Sequence, residues 1–161
     1  MSEFQIIYDK NKELDLMFLK EYGNSQEIID KNKLELLVEL GELANETKCF
    51  KYWSVKLPDR DKVLEEYANV MLMILYFFNI LEVSLDEEFP KLNEDIDILE
   101  QFTLLFGLGA KLREKYNKEI MKEIFVNLLN LGYILKFTNQ DIIDGCLKKI
   151  IINKKRFEVE Y

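Results

Sequence analysis

A chain of 161 residues has single-domain length, and 48% hydrophobic with 12% aromatic residues excludes disorder and allows a real core. The net charge of −8, with no basic face over residues 1–110, argues against nucleic-acid binding through phosphate contacts. Histidine is absent, and Cys49 and Cys146 stand at no ligand spacing, which excludes zinc centres and His-dependent Ser or Cys nucleophiles. Any metal must then be held by oxygen, which means Mg²⁺, Mn²⁺ or Ca²⁺.

Two prolines, six glycines and no sustained apolar–polar alternation predict an all-α chain, a helical bundle of about five to seven helices in a single domain over 1–161. The opening MSEFQIIYDK lacks the basic start and long apolar centre of a signal peptide. Two isolated cysteines fit small buried thiols in a reduced, cytoplasmic protein. A first helix is expected over about 4–21, ending near Gly23. A second comes after Asn24-Ser25, with Asn24 and Glu27 at capping-box spacing, and runs to about Lys48. CFKYWSVKLP reads as a loop closed by Pro58, and Asp59 as the N-cap of a third helix over about 60–82.

Within that third helix YANVMLMILYFFNIL, residues 67–81, is the most apolar run. Its 15 residues are short of the roughly 20 a bilayer span needs, so a core or subunit-interface helix is expected and no membrane. Ser84 and Glu87 repeat the capping-box spacing, and Pro90 restricts helix formation just after them. Two further helices are expected over 94–115 and 117–136. Thr138 with Asp141 would cap a last helix over about 139–154. FGLGAK, residues 106–111, lacks the glycine spacing and Lys-Ser/Thr pair of a phosphate-binding loop, so close helix packing at Gly107 and Gly109 is expected instead.

The second helix carries a carboxylate stripe. At about 100° per residue, Glu35, Glu39, Glu42 and Glu46 fall within an arc of roughly 60°, with Leu36, Leu37, Val38, Leu40, Leu43 and Ala44 around the rest. The helix is therefore expected to be buried on several sides, with the stripe lining a groove. Acids spaced i,i+4 repel, and a dry groove strengthens the repulsion, so protonation, basic partners or a cation must offset it. In the third helix Glu66 and Asn69 share the i,i+3 spacing of Glu39 and Glu42. Two such helices can close around hydrated Mg²⁺; the alternative is a surface stripe of ordinary acids. Near the C-terminus Lys148, Lys149, Lys154, Lys155 and Arg156 suit either a small phosphorylated ligand or a solvated helix end.

LLVELGELANETKCFKYWS and then LEEYAN resemble the dimeric, all-α dUTPases, relatives of the MazG-type nucleotide pyrophosphohydrolases. Their signature is ExxE on one helix and ExxD on the next, holding Mg²⁺. Glu39-xx-Glu42 matches the first half, and Glu66-xx-Asn69 the second with Asn for Asp. NKELD offers Asn11 and Asp15 where the family places Gln and Asn or Asp near uracil. FKYWS places Trp53 at the base pocket, or else as a hydrophobic plug over the helix pair. FTNQDI at 137–142, then Lys149, Asn153, Arg156 and Tyr161, matches the family's C-terminal phosphate-binding pattern. Leu72 stands where the family often has His, and Ile150 and Phe157 replace Asn and Gln.

The resemblance implies Mg²⁺-dependent (or Mn²⁺-dependent) hydrolysis of dUTP, and of dUDP, to dUMP by a homodimer. Glu39 would be the base toward water, and Glu39, Glu42, Glu66 and Asn69 the metal ligands. Two alternatives stay open: the same fold acting on another nucleotide base, and a non-catalytic dimeric binding or regulatory relative.

Overall fold

The computed structural model describes residues 1–92 and 95–160. It is all helical: a 3₁₀ turn at Ser2–Phe4 leads into α1 (Gln5–Tyr22), α2 (Gln26–Thr47), α3 (Arg60–Ile80), α4 (Ile98–Lys111), α5 (Lys118–Ile134) and α6 (Asn139–Glu160). There is no strand among the described residues.

The apolar run of α3 explains the architecture. Tyr67, Ala68, Val70, Met71, Ile74, Leu75, Phe77 and Phe78 are all buried, and no residue of α3 after Glu65 is exposed. It is accordingly the central helix, packed by α1, α2, α5 and α6, while α4 joins α2 and α5 at one side. By length and composition α3 could cross a membrane, but just over half of its most apolar stretch (56%) is buried within the bundle. Its pattern is that of a core helix. The Tyr67 hydroxyl, buried with its ring, donates to the Leu128 carbonyl at 2.7 Å. Gly132 makes that approach possible, because a Cβ there would stand 2.8 Å from the Tyr67 oxygen.

Side-chain caps set most helix starts. Asp59 Oδ1 accepts from the amides of Asp61 and Lys62 at 3.0 and 3.4 Å. Thr138 and Asp141 bond each other's amides reciprocally at 2.9 and 3.0 Å, the capping box expected of them. Five expectations need correction. The α2 cap is Ser25, which accepts from the Ile28 amide, rather than Asn24; Glu27 pairs with Lys31 at 2.8 Å instead. Ser84 and Glu87 do bond, Glu87 Oε1 accepting the Ser84 amide at 2.9 Å, but they close a turn and no helix.

The third correction is α4, which is shorter than 94–115, and the fourth is Gly107. Asp97 caps it at its start, it ends at Lys111, and after a turn Asn117, in an extended conformation, caps α5; Glu94 lies outside the described residues. Of the two glycines expected to pack closely, only Gly109 does: a Cβ there would meet Leu37 Cδ2 at 2.8 Å, whereas one at Gly107 would meet nothing within 4 Å. The last correction is α6, which runs six residues past 154, to Glu160. No glycine or proline stops it, and the Phe157 ring packs on Phe18 of α1 at 4.8 Å between centroids.

Candidate active site

The α2 stripe is only partly enclosed. Leu36, Leu40 and Leu43 are buried against the core, but Leu34 and Val38 are exposed. The helix is therefore buried on one face, not several, because α4 covers only one flank of it. Glu35 and Glu39 line a cavity of about 770 Å³ bounded by α1, α2, α3 and α6. Glu42 is exposed and Glu66 half-buried, at the side of Glu39.

The i,i+3 pairs of α2 and α3 do meet. One carboxylate oxygen from each of Glu39, Glu42 and Glu66 lies within 4.8 Å of the others. Asn69 Nδ2 donates to Glu66 Oε2 at 3.2 Å, and Asn69 also lines the cavity. Burial pushes the Glu39 carboxyl up to about 7, aided by the negative charge of Glu42, Glu66 and Glu35. Glu66 is raised as well, mainly by burial, against the lowering effects of the Asn69 bond and the charge of Lys149. Glu39 Oε2 is buried and has no hydrogen-bond partner. A buried carboxylate oxygen without a donor, beside two further acids, is the arrangement that a cation relieves. The donors are all oxygen, so a hard divalent ion fits the set.

The second group is on α6. Lys149, Asn153 and Arg156 recur at i, i+4 and i+7, and all three line the cavity. The structure thus divides the basic C-terminal cluster. Lys148, Lys154 and Lys155 are exposed, whereas Lys149 is buried, its Nζ 3.2 Å from Glu65 Oε1. Tyr161 lies outside the described residues.

The third group is on α1. Asn11 and Asp15 are both buried and both line the cavity. Asn11 Nδ2 donates to Asp15 Oδ2 and to the Leu72 carbonyl, each at 3.1 Å. Trp53 is not among the cavity residues of its own chain. It is 64% exposed, and it is no plug over the helix pair either; its neighbours are Phe50 and Tyr52.

Several cavity residues were not anticipated. Tyr76 accepts from Asn32 Nδ2 at 3.0 Å, joining α3 to α2 across the cavity wall. Asn69, Leu72, Met73 and Tyr76 recur at i, i+3, i+4 and i+7, so this cavity-facing stripe of α3 was readable from Asn69 onward. Phe18 and Phe157 could not be paired from the sequence, since only the packing of α1 on α6 joins them.

An all-helical bundle with acids from two neighbouring helices beside a cavity lined by Lys and Arg has the makings of a metal-assisted hydrolase of phosphorylated small molecules. The chain belongs to the dUTPase family, whose model it matches over residues 3–161. A search of curated proteins found no match. The family hydrolyses dUTP with a divalent metal, and the chain is a dUTP diphosphatase-like hydrolase with a small nucleotide substrate.

Proposed function

We propose that this chain hydrolyses dUTP, and dUDP, to dUMP with Mg²⁺, and that Mn²⁺ can replace it. The observation that carries this reading is the approach of Glu39, Glu42 and Glu66 to within 4.8 Å, with Glu39 Oε2 lacking a donor. Glu39, Glu42, Glu66 and the Asn69 carbonyl oxygen would hold the ion. Bound there, Mg²⁺ neutralises phosphate charge and lowers the pKa of water.

The remaining steps belong to the side chains. Lys149, Asn153 and Arg156 bind and orient the phosphates from α6, with Tyr161 beside them. Lys149 exchanges Glu65 for phosphate when the substrate enters. Charge on the departing phosphate is stabilised by Lys149 and Arg156, with Arg offering two parallel donors. Glu39 would accept the proton of the attacking water through the carboxylate oxygen that does not hold the ion. Asn11 and Asp15 meet the base.

We assign the enzyme to a homodimer. The apolar character of α3 no longer argues for this, since the core accounts for it. Support comes from Leu34 and Val38 on α2 and from Tyr52, Trp53, Val55 and Leu57 in the loop, all exposed on a single chain. Trp53 stands outside the cavity of its own chain, so we assign its base contact to the cavity of the second copy.

A different base preference is the second reading, and Asn11, Leu72 and Asn69, which stand in the cavity wall where the family has Gln, His and Asp, favour it. A panel of dUTP, dUDP, dTTP and dCTP, with and without Mg²⁺, separates the two. Release of dUMP from dUTP and dUDP alone supports the first reading, and turnover of dCTP or dTTP at a comparable rate supports the second. If nucleotide binds but none is turned over with either ion, the chain is a non-catalytic binding protein.

A further inference from the structure

The cavity extends well past the acids that give it its chemistry. α1 lines it from Asn11 to Tyr22, α2 from Ile28 to Glu39 and α6 from Lys149 to Glu160. At 1.5 Å of rise per residue each of these walls is about 16 Å long. α3 lines it from Asn69 to Tyr76, about 10 Å. One end is fixed at α3, by the Asn11 bond to the Leu72 carbonyl and by the approach of Glu39 to Glu66. The other is a corner. Gly23, at φ 75°, turns the chain from α1 into α2, so these two walls converge there, away from α3. The volume of about 770 Å³ lies in the upper part of the range of small-molecule sites, about 300–1,000 Å³.

The corner is aromatic. The Phe18 ring lies 4.8 Å from Phe157 and 6.1 Å from Tyr22 between centroids, with 35° between the planes of Phe18 and Tyr22. All three rings line the cavity; Phe18 and Phe157 are half-buried and Tyr22 is 46% exposed. Lys31 stands in the same wall but is held by Glu27 at 2.8 Å, so the corner offers ring faces more than charge. Arg156 directly precedes Phe157. Rings with a guanidinium beside them suit a planar heteroaromatic group, by stacking and by cation–π attraction. The cations of α6 lead into this corner. Lys149 stands beside the acids, where its charge acts on Glu66, and Asn153 and Arg156 follow one and two turns further on. A phosphate chain that climbs this ladder ends at Arg156, and whatever is esterified to its last phosphate meets Phe157, Phe18 and Tyr22. Glu160, the next cavity residue of α6, repels a further phosphate but accepts from a hydroxyl or an amino group.

We propose that the corner formed by Phe18, Tyr22 and Phe157 is a second nucleoside subsite, and that the enzyme also hydrolyses dinucleoside triphosphates, in which deoxyuridine is joined through three phosphates to another nucleoside. This rests on the reading that the cavity hydrolyses dUTP. The deoxyuridine end and the phosphates take the places already described, and the second base stacks in the corner. The reaction is the same. One water adds its oxygen to phosphorus, and the oxygen bridge between the first and second phosphates breaks. The water proton goes to Glu39, and the bridging oxygen leaves with the second nucleoside as its diphosphate. With adenosine as the second nucleoside the products are dUMP and ADP.

Initial rates of the full chain with Mg²⁺, on two substrates whose last phosphate is blocked and equally charged, test this. One is the adenosine conjugate; the other is the γ-methyl ester of dUTP, which has no second base. KM for the adenosine conjugate should be at least about fivefold below that of the methyl ester, the low end for stacking one base on aromatic side chains. Tyr22→Leu and Phe157→Leu keep apolar bulk and remove a ring face, and each should bring the ratio of the two KM values toward one. Because the ratio is taken within one protein, a general loss of folding or of phosphate binding cancels. Equal KM values in wild type, or a preference left standing by both variants, overturn the proposal. dUTP run alongside separates the two failures. An enzyme that hydrolyses dUTP but does not distinguish the two esters sinks the second subsite alone; a chain that releases no dUMP from dUTP sinks the hydrolase reading and the subsite with it.

Discussion

Asn69 Nδ2 donates a hydrogen bond of 3.2 Å to Glu66 Oε2, one turn earlier on α3. The amide thus holds a carboxylate of the Glu39, Glu42 and Glu66 cluster in place while its own oxygen remains available. An acid at the same position would add charge for a cation and repulsion without one. Asn69→Asp should tighten Mg²⁺ binding by roughly tenfold or more, since a pair of unit charges about 4 Å apart is worth about 1 kcal/mol in bulk water and about 4 kcal/mol near a protein surface. Without metal the same variant should lose about 1 kcal/mol, the bond to Glu66 being gone. Thermal melts with and without Mg²⁺ read both effects, and the order of stabilities of the two proteins should reverse between them.

Metal affinity should depend on pH through Glu39. Its carboxyl titrates near about 7 because of burial and the neighbouring acids, and a divalent ion must displace that proton. Below the midpoint, affinity for Mg²⁺ should fall by up to about tenfold per pH unit and above it level off. Calorimetric titration across the neutral range checks this; a flat profile would remove Glu39 from the ligand set.

Asp15 makes a separate prediction about stability. Its carboxyl is raised from the ordinary 3.8 to about 8 by burial, so between these values the unfolded chain has lost a proton that the folded chain retains. Folding stability contributed by this group therefore declines as pH rises across that window, at up to about 1.4 kcal/mol per unit. Asp15→Asn removes the effect, and its advantage over wild type should grow between acid and mildly alkaline pH. Urea midpoints at three or four pH values would reveal an advantage that instead stays constant.

Glycine substitutions should rank by what their methyl groups meet. Gly132→Ala drives a Cβ to 2.8 Å from the Tyr67 oxygen and 3.2 Å from Ile142 Cδ1, inside the core. It should cost about 1–3 kcal/mol. Gly107→Ala meets nothing within 4 Å on an α-helix and should be neutral or stabilise by up to about 1 kcal/mol. Chemical denaturation of the two variants compares them directly.

The dimer assignment predicts that Val38→Glu, on the exposed flank of α2, shifts the sedimentation coefficient to that of a monomer while the helical circular dichroism is kept. A wild-type chain that sediments as a monomer at micromolar concentration would contradict the assignment.

Helix number and order were legible because α3 is apolar almost all round from Tyr67 onward and because Asp59 and Thr138 announce their helices. The meeting of Glu39, Glu42 and Glu66 was legible too, since equal i,i+3 spacing on consecutive helices leaves few ways to pack them. What the sequence hides is which face of a helix another helix covers. The sequence treats Val38 and Leu36 alike, and only the packing shows one exposed and one buried. Trp53 lies in the same short run as the glutamates, yet a loop gives no periodicity from which to place its ring. The start of α4 and the end of α6 were misplaced for a local reason: an Asp97 cap in one case and an aromatic contact with Phe18 in the other lie outside helix-propensity patterns.

The central claim is that Glu39 belongs to a carboxylate cluster that holds the ion needed for dUTP hydrolysis. The direct measurement is dUMP release from dUTP by wild type and Glu39→Gln, each with Mg²⁺ and with a chelator. Wild type with Mg²⁺ should release dUMP, the chelator should stop it, and Glu39→Gln should be slower by roughly 10² to 10⁴ at unchanged helicity. Undiminished release by Glu39→Gln, or equal release in the chelator, would contradict the account.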